Sequence, residues 1–201
     1  MCGKKYSKQG KGDVMEWRAK KTGKWTFEVN PEVSGRIGKG RQGIHPNGTP
    51  RFFEDKNEED IIGVKPELAF ECLTGLKMDE TLRRNGDGGI DFKFICDGRE
   101  YYLDVKGARK PVNLLLKVEE EKNKVHILVL SKVESNTVTF LGWEWKCIVM
   151  TKPIDPFFHG INNHYLHHKS LIEMDSLIDA IRKKEGLPPP VYRRPYVPSI
   201  E

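Results

Sequence analysis

Residues 87–106 read DGGIDFKFICDGREYYLDVK. Two short apolar and aromatic runs flank Asp97-Gly98. Asp-Gly between such runs is the strongest short-range hairpin signal, because a type I′ turn needs positive φ at both central residues. A two-residue turn there fixes the register by counting. Cys96 faces Arg99, Phe94 faces Tyr101, Phe92 faces Leu103 and Ile90 faces Val105. That face is apolar apart from Arg99. On the other face Asp91 opposes Asp104, Lys93 opposes Tyr102, and Lys106 stands one step beyond. Opposed side chains have Cβ atoms roughly 4.5–5.5 Å apart, and like charges there repel. Two carboxylates held together beside a lysine gain nothing for a hairpin as such. They suit a divalent metal.

Upstream, residues 57–76 (NEEDIIGVKPELAFECLTGL) open with acids and close at Gly75, as helix termini prefer. Pro66 marks either a restart or a kink in that helix. Beyond it, Leu68, Ala69, Cys72, Leu73 and Leu76 form one face, and Glu67 and Glu71 lie on another. Downstream, Asn113–Val118 reads as a strand and Glu119–Lys124 as a charged loop. Val125–Val133 is apolar at both parities for six residues, so it is expected near the sheet centre with both faces covered. A turn at Glu134-Ser-Asn leads to a strand over Thr137–Trp145, and Cys147–Met150 offers a short further strand. Residues 152–170 read as irregular. Leu171–Lys184 forms an amphipathic helix on Leu171, Met174, Leu177, Ile178 and Ile181, ended by Gly186. The pattern predicts one α/β domain over 57–185, a mixed central sheet flanked by helices. A basic, partly disordered arm and loop region precedes it at 1–56, and a Pro-rich extended tail follows at 186–201.

The chain has 201 residues, enough for one sizeable core, and a formal net charge of +5. The charge is uneven: residues 1–53 hold 12 Lys/Arg against 4 Asp/Glu, a net of +8, which leaves −3 for the rest. A basic N-terminal third fits a polyanionic partner such as nucleic acid. The Gly-rich segment 34–53 (SGRIGKGRQGIHPNGTPRFF) reads as a basic loop, with Arg36, Lys39, Arg41 and Arg51 suited to phosphate contact. It lacks the Walker pattern. No apolar run reaches the roughly 18–20 residues that span a bilayer, and no apolar stretch follows the basic start, so a soluble intracellular protein is expected. Cys2, Cys72, Cys96 and Cys147 are too scattered for a disulfide framework or a thiolate metal site. His159, His164, His167 and His168 have no companion ligands at zinc spacing. Asn85-Gly-Asp87-Gly lacks the other ligands of a calcium loop. Trp143 and Trp145 are expected in the core, with base stacking as the alternative.

The acids and the lysine form a chemical set. Phosphodiester cleavage needs an activated water, a neutralised phosphate and a stabilised leaving oxygen, all of which one or two Mg²⁺ ions can supply. Mg²⁺ takes hard oxygen ligands and keeps several waters, so two or three carboxylates suffice. The backbone carbonyl of Val105 is a further candidate ligand. Lys106, on the same face as Asp104, can orient the attacking water or neutralise the transition state.

Glu67, Gly88-Gly89-Ile90-Asp91 and Asp104-Val105-Lys106, with ELAF at 67–70, GDGGIDF at 86–92 and FLGW at 140–143, resemble the PD-(D/E)XK nuclease superfamily. The likeness covers roughly residues 57–145, and more narrowly the chain is similar to small phage- and archaeal-virus-type nucleases. It implies a restriction-endonuclease-like core, Glu67, Asp91 and Asp104 as metal ligands, Lys106 as the catalytic lysine, and Mg²⁺ or Mn²⁺ as cofactor. Ile90-Asp91 stands where the family has Pro-Asp, and Lys65-Pro66 precedes Glu67 where Ile-Gly or similar is usual. Glu71 is therefore the alternative helix acid. The implied activity is a metal-dependent deoxyribonuclease, in the host cytoplasm if the protein is viral. Lys93, Arg36, Lys39, Arg41 and Arg109 are candidate DNA contacts, and a homodimer is left open. The alternatives are an inactive nucleic-acid-binding protein on the same fold, and an interaction protein that docks through its Pro-rich tail.

Overall fold

A computed structural model of the chain describes residues 17–42, 56–78, 89–155, 162–184 and 186–191. Among the described residues nine strands make two sheets. The larger sheet has the order β1-β2-β7-β6-β4-β3. Its strands are β1 (Ala19–Lys21), β2 (Thr26–Val29), β3 (Phe92–Cys96), β4 (Arg99–Ala108), β6 (Ile127–Glu134) and β7 (Thr137–Trp145). Neighbours are antiparallel except β4 and β6, which run parallel. The smaller sheet is antiparallel, β5 (Asn113–Lys117), β9 (Asn163–His167) and β8 (Ile154–Asp155).

The Asp97-Gly98 turn forms as its residues require, with φ of 50° and 70°. The ladder runs from Cys96↔Arg99 through Lys93↔Tyr102 to Phe92↔Leu103 and ends there. The expected pairs Ile90↔Val105 and Asp91↔Asp104 lie outside it, because β4 continues past the start of β3. Helix α2 (Lys56–Thr74) passes through Pro66 without a break. Pro66 lies against β4, where an added Cβ on Gly107 would stand 2.6 Å from Pro66 Cγ and 3.1 Å from the Ile62 carbonyl oxygen. Ile62 is four residues before Pro66, so it is the carbonyl that proline cannot satisfy within the helix. One residue earlier, Lys65 Nζ donates to the Ser135 carbonyl in the β6–β7 turn at 2.7 Å.

Strand β6 is covered on both faces, as its doubled apolar pattern predicts. Ile127, Val129 and Val133 join a core with Leu68 and Phe70 of α2 and with Met174 and Leu177 of α4 (Met174–Lys183). Leu128 and Leu130 join a second core with Leu114 and Leu116 of β5 and Leu166 of β9. Helices therefore flank one face of the central sheet, and the small sheet covers β6 on the other.

Several local expectations are corrected. The basic segment beginning at 34 is not a loop through its first part, since α1 spans Pro31–Gln42. Asn30 caps it, its side chain accepting from the Glu32 N–H at 2.9 Å, with proline in the first turn where its missing N–H costs nothing. Residues 17–24 are not all arm, because β1 pairs with β2. Lys146–Val149 is a short helix, α3, rather than a strand. The stretch 152–170 holds β8 and β9, which pair with each other, and β9 also pairs with the distant β5. Helix α4 ends on Lys184 in the left-handed region at φ 58°, two residues before Gly186. The start of the tail packs back, with the Trp145 indole N–H donating to the Pro188 carbonyl at 3.0 Å. Residues 1–16, 43–55, 79–88 and 192–201, with Cys2, Arg51, Asp87 and most of the tail, lie outside the described residues, as does His159.

Candidate functional site

The site forms where β4 outruns β3. Beyond Leu103, β4 keeps β6 on one side but has no further β3 ladder on the other. The Val105 N–H on that edge needs an acceptor, and the Asp91 carboxylate supplies it, Oδ2 accepting at 2.7 Å. The Asp91 N–H donates to the Leu103 carbonyl at 3.0 Å. Asp91 thus folds over the exposed edge instead of facing Asp104 across a regular pair. A strand residue's N–H and C=O leave on the same edge, so the Val105 carbonyl shares that edge with Asp91. Gly89, at φ 76°, turns the chain into this position. A Cβ there would lie 3.2 Å from Asn123 Nδ2 and 3.9 Å from Asp104 Oδ2.

Asp104 is buried, at 5% exposure. Its Oδ2 lies 2.7 Å from Lys106 Nζ. Lys106 also donates to Glu120 Oε2 at 3.2 Å. Glu67 on α2 is buried, at 4% exposure. Partial burial pushes the Asp91 carboxyl up, and the charges of Glu67 and Asp104 push it further. The Val105 N–H and Lys106 oppose them without prevailing, so Asp91 sits well above the ordinary carboxylate range. For Lys106, burial alone favours the neutral amine. The carboxylates of Asp104, Glu120 and Asp91 outweigh it and hold the ammonium above the usual lysine value.

Of the two candidate acids on α2, Glu67 is the one whose charge reaches Asp91. Glu71 is turned to a different neighbourhood, 3.5 Å from Arg18 Nη2 and 3.3 Å from Lys77 Nζ. Glu67, Asp91 and Asp104 form one electrostatic group, though among the described residues no three His, Cys, Asp or Glu side chains converge closely enough to cage an ion. The donor set still fits a hard cation. It offers carboxylate and carbonyl oxygens, and Mg²⁺ is commonly held by one or two carboxylates with waters completing its shell.

Two participants were not legible in the sequence. Glu120 lies in a 3-10 turn over Val118–Lys122, within the run expected to be a solvated charged loop. Lys146 holds that turn in place. Its buried ammonium donates to the Glu121 carbonyl at 2.8 Å, the Asn123 carbonyl at 2.8 Å and Asn123 Oδ1 at 2.7 Å. Burial lowers its pKa, against the pull of Glu120, Glu121 and Asp104. The available signal was a lysine directly after the apolar strand end WEW, which reads equally well as a strand terminus.

The remaining candidates are dispersed. Lys93 is exposed on β3, and Arg36 and Lys39 are exposed on α1. Arg41 lies in α1 with its side chain outside the described set, and Arg109 is exposed just past β4. His164 is a structural partner, its Nε2 2.5 Å from Glu121 Oε1 and its Nδ1 2.9 Å from the Lys152 carbonyl. His167 and His168 stack on one another. Trp143 and Trp145 are buried, which removes base stacking. Among the described residues, Cys72, Cys96 and Cys147 form no disulfide. No helix among the described residues is long and apolar enough to cross a membrane. Comparison with models of known protein families and with curated proteins returns no match.

Proposed function

We propose that the chain is a divalent-metal-dependent deoxyribonuclease on a restriction-endonuclease-like core of the PD-(D/E)XK kind. One observation carries this reading: Asp91, Asp104 and Lys106 meet at the open edge of β4, with Glu67 brought within electrostatic reach by α2. A strand edge with three acids around one lysine is costly as scaffold, since each buried like charge disfavours the others. It is productive if a cation and a phosphate complete it.

Asp91, Asp104 and the Val105 carbonyl would hold Mg²⁺ or Mn²⁺, with Glu67 adding negative charge. When bound, the ion supplies an acidified water and neutralises the phosphate. Lys106 remains an ammonium, so its part is electrostatic. It donates to a phosphate oxygen or to the attacking water and does not act as a base. Asp104 aims that ammonium from one side and Glu120 from the other. DNA is the proposed partner, with Lys93 and Arg109 as candidate backbone contacts flanking the site.

Cleavage of supercoiled plasmid tests the reading. The wild type nicks DNA with Mg²⁺ or Mn²⁺ and not with chelator, and Asp104→Ala lowers the rate by at least about 100-fold, the scale of losing a group that stabilises the transition state. Metal-dependent nicking that survives both Asp91→Ala and Asp104→Ala contradicts it. Salt-sensitive DNA binding with no turnover under any metal marks the chain as a binding protein instead.

A further inference from the structure

Asn123 closes the Val118–Lys122 turn, and most of its polar groups are taken up in doing so. Its backbone N–H donates to the Glu120 carbonyl at 3.1 Å. Its backbone carbonyl accepts from Lys146 Nζ at 2.8 Å. Its side-chain Oδ1 accepts twice, from Lys146 Nζ at 2.7 Å and from the Val125 N–H at 3.1 Å. An ammonium and a backbone N–H can only donate, so the end of the carboxamide they meet is the oxygen. That chemistry fixes the amide's orientation and turns Nδ2 the other way. Among the described residues no acceptor meets Nδ2.

The other way is the site. A Cβ on Gly89 would stand 3.2 Å from Asn123 Nδ2 and 3.9 Å from Asp104 Oδ2. The amide donor and the buried acid thus lie within 4 Å of one point, which glycine leaves clear. A separation of 3.2 Å is tight for a carbon and ordinary for an oxygen that accepts from an N–H. Lys106 Nζ lies 2.7 Å from the same Asp104 oxygen. Two donors, one amide and one ammonium, therefore stand around one carboxylate of the proposed metal set.

We infer that Asn123 is a further catalytic residue of this site, its Nδ2–H donating to a non-bridging oxygen of the phosphate that Lys106 serves. The inference rests on the nuclease reading and deepens it. A donor held rigid before substrate arrives needs no reorganisation as charge develops on the phosphate. Lys146 is its positioning residue, since one ammonium grips both the backbone carbonyl and the side-chain oxygen of Asn123. Burying that ammonium among carbonyl oxygens is costly for a surface turn alone. Aiming a catalytic donor gives the arrangement a use.

Three variants test it: Asn123→Asp, Asn123→Ala and Lys124→Gln. Each is read by plasmid cutting with Mg²⁺, by anisotropy of a short labelled duplex in Ca²⁺, and by thermal melting. Asn123→Asp keeps an oxygen for Lys146 and Val125 and replaces the donor with an acceptor. Its Tm should match or exceed that of the wild type, while cutting falls about 100-fold, the scale of losing one preorganised donor. Asn123→Ala loses donor and acceptor together, so it should melt lower and cut as poorly. Lys124→Gln makes the same change in net charge at an exposed position of the same segment, and should cut as the wild type does. A purely structural Asn123 makes cutting follow Tm, so Asn123→Asp that cuts like the wild type overturns the inference. Failure of Asn123→Asp to fold overturns it too, because Lys146 then does not hold Oδ1. An equal loss of cutting in Lys124→Gln assigns the effect to net charge and also overturns it. The two readings fail separately. A wild type that binds the duplex and never cuts removes the nuclease. Binding about tenfold weaker in Asn123→Asp alone, the scale of one hydrogen bond to a charged group, then still supports the phosphate contact. Cutting retained in Asn123→Asp removes Asn123 and leaves the nuclease.

Discussion

Pro66 of α2 and Gly107 of β4 touch so closely that a methyl group on Gly107 would lie 2.6 Å from the proline ring. This contact docks the helix onto the strand between the two halves of the site. Glu67 follows Pro66 in the chain, and Lys106 precedes Gly107. The missing side chain of Gly107 is what lets the proline ring, and the helix with it, approach β4.

Gly107→Ala should therefore act on both stability and the site. Overpacking a closed contact costs about 1–3 kcal/mol, and the neighbours are a ring and a backbone carbonyl that cannot swing away. The expected result is a lowered Tm and an α2 displaced from β4. Urea unfolding measures the first, and loss of the Glu67 contribution to metal affinity measures the second.

Asp91→Asn should stabilise the metal-free protein at neutral pH. The folded state raises the Asp91 pKa above its ordinary 3.8. The native state then binds more protons than the unfolded one, and stability falls as pH rises from about 4 through the raised value. Asparagine keeps an acceptor for the Val105 N–H and removes the charge. In chelator at pH 7 the variant should melt about 2–4 °C higher, the shift that on the order of 1 kcal/mol gives a chain of this size. A variant that melts below the wild type denies the charge crowding.

Lys146→Met should be severe although Lys146 touches no acid of the metal set. Hydrogen bonds to a charged group contribute roughly 1.5–3 kcal/mol each, and this ammonium makes three. A loss of about 3 kcal/mol or more is expected in denaturant unfolding, with faster amide exchange over residues 118–124.

His126 supplies a pH dependence of opposite sign. Its Nδ1 accepts from the Tyr102 N–H at 3.1 Å, which requires that nitrogen to be unprotonated. Burial lowers its pKa below 6.5, and Lys146 lowers it further. The unfolded chain takes up the proton first, so this contribution is full above about 6.5 and is lost as pH falls through the folded value. In an Asp91→Asn background, Tm should rise from pH 5 to 7. His126→Asn, which keeps an acceptor that does not titrate, should flatten that rise.

Much of this arrangement was legible in residues 87–106. Asp97-Gly98 set the hairpin register from Cys96↔Arg99 to Phe92↔Leu103, and the alternation of Asp104 and Lys106 with Leu103 and Val105 put acid and lysine on one face. Counting failed one step further, because it assumes equal strands and β3 stops where β4 continues. The actual place of Asp91, folded onto the Val105 N–H, follows from that inequality. The start of α1 was written locally in Asn30-Pro31-Glu32 and was masked by the glycines after it. Of the small sheet, β5 was legible as the strand expected over Asn113–Val118, but its partner was not, since Leu115 pairs with Tyr165 fifty residues away. Glu120 was hidden for the same reason. A charged run looks solvated until a distant lysine, here Lys146, ties it down.

The central claim is that Asp91 and Asp104 jointly hold a divalent ion, and anomalous scattering from Mn²⁺ in crystals of the wild type tests it most directly. The account predicts a manganese peak in contact with the carboxylates of both residues, lost in Asp104→Asn. A peak held by other residues, or no peak at the β4 edge in protein that cuts DNA with Mn²⁺, contradicts it.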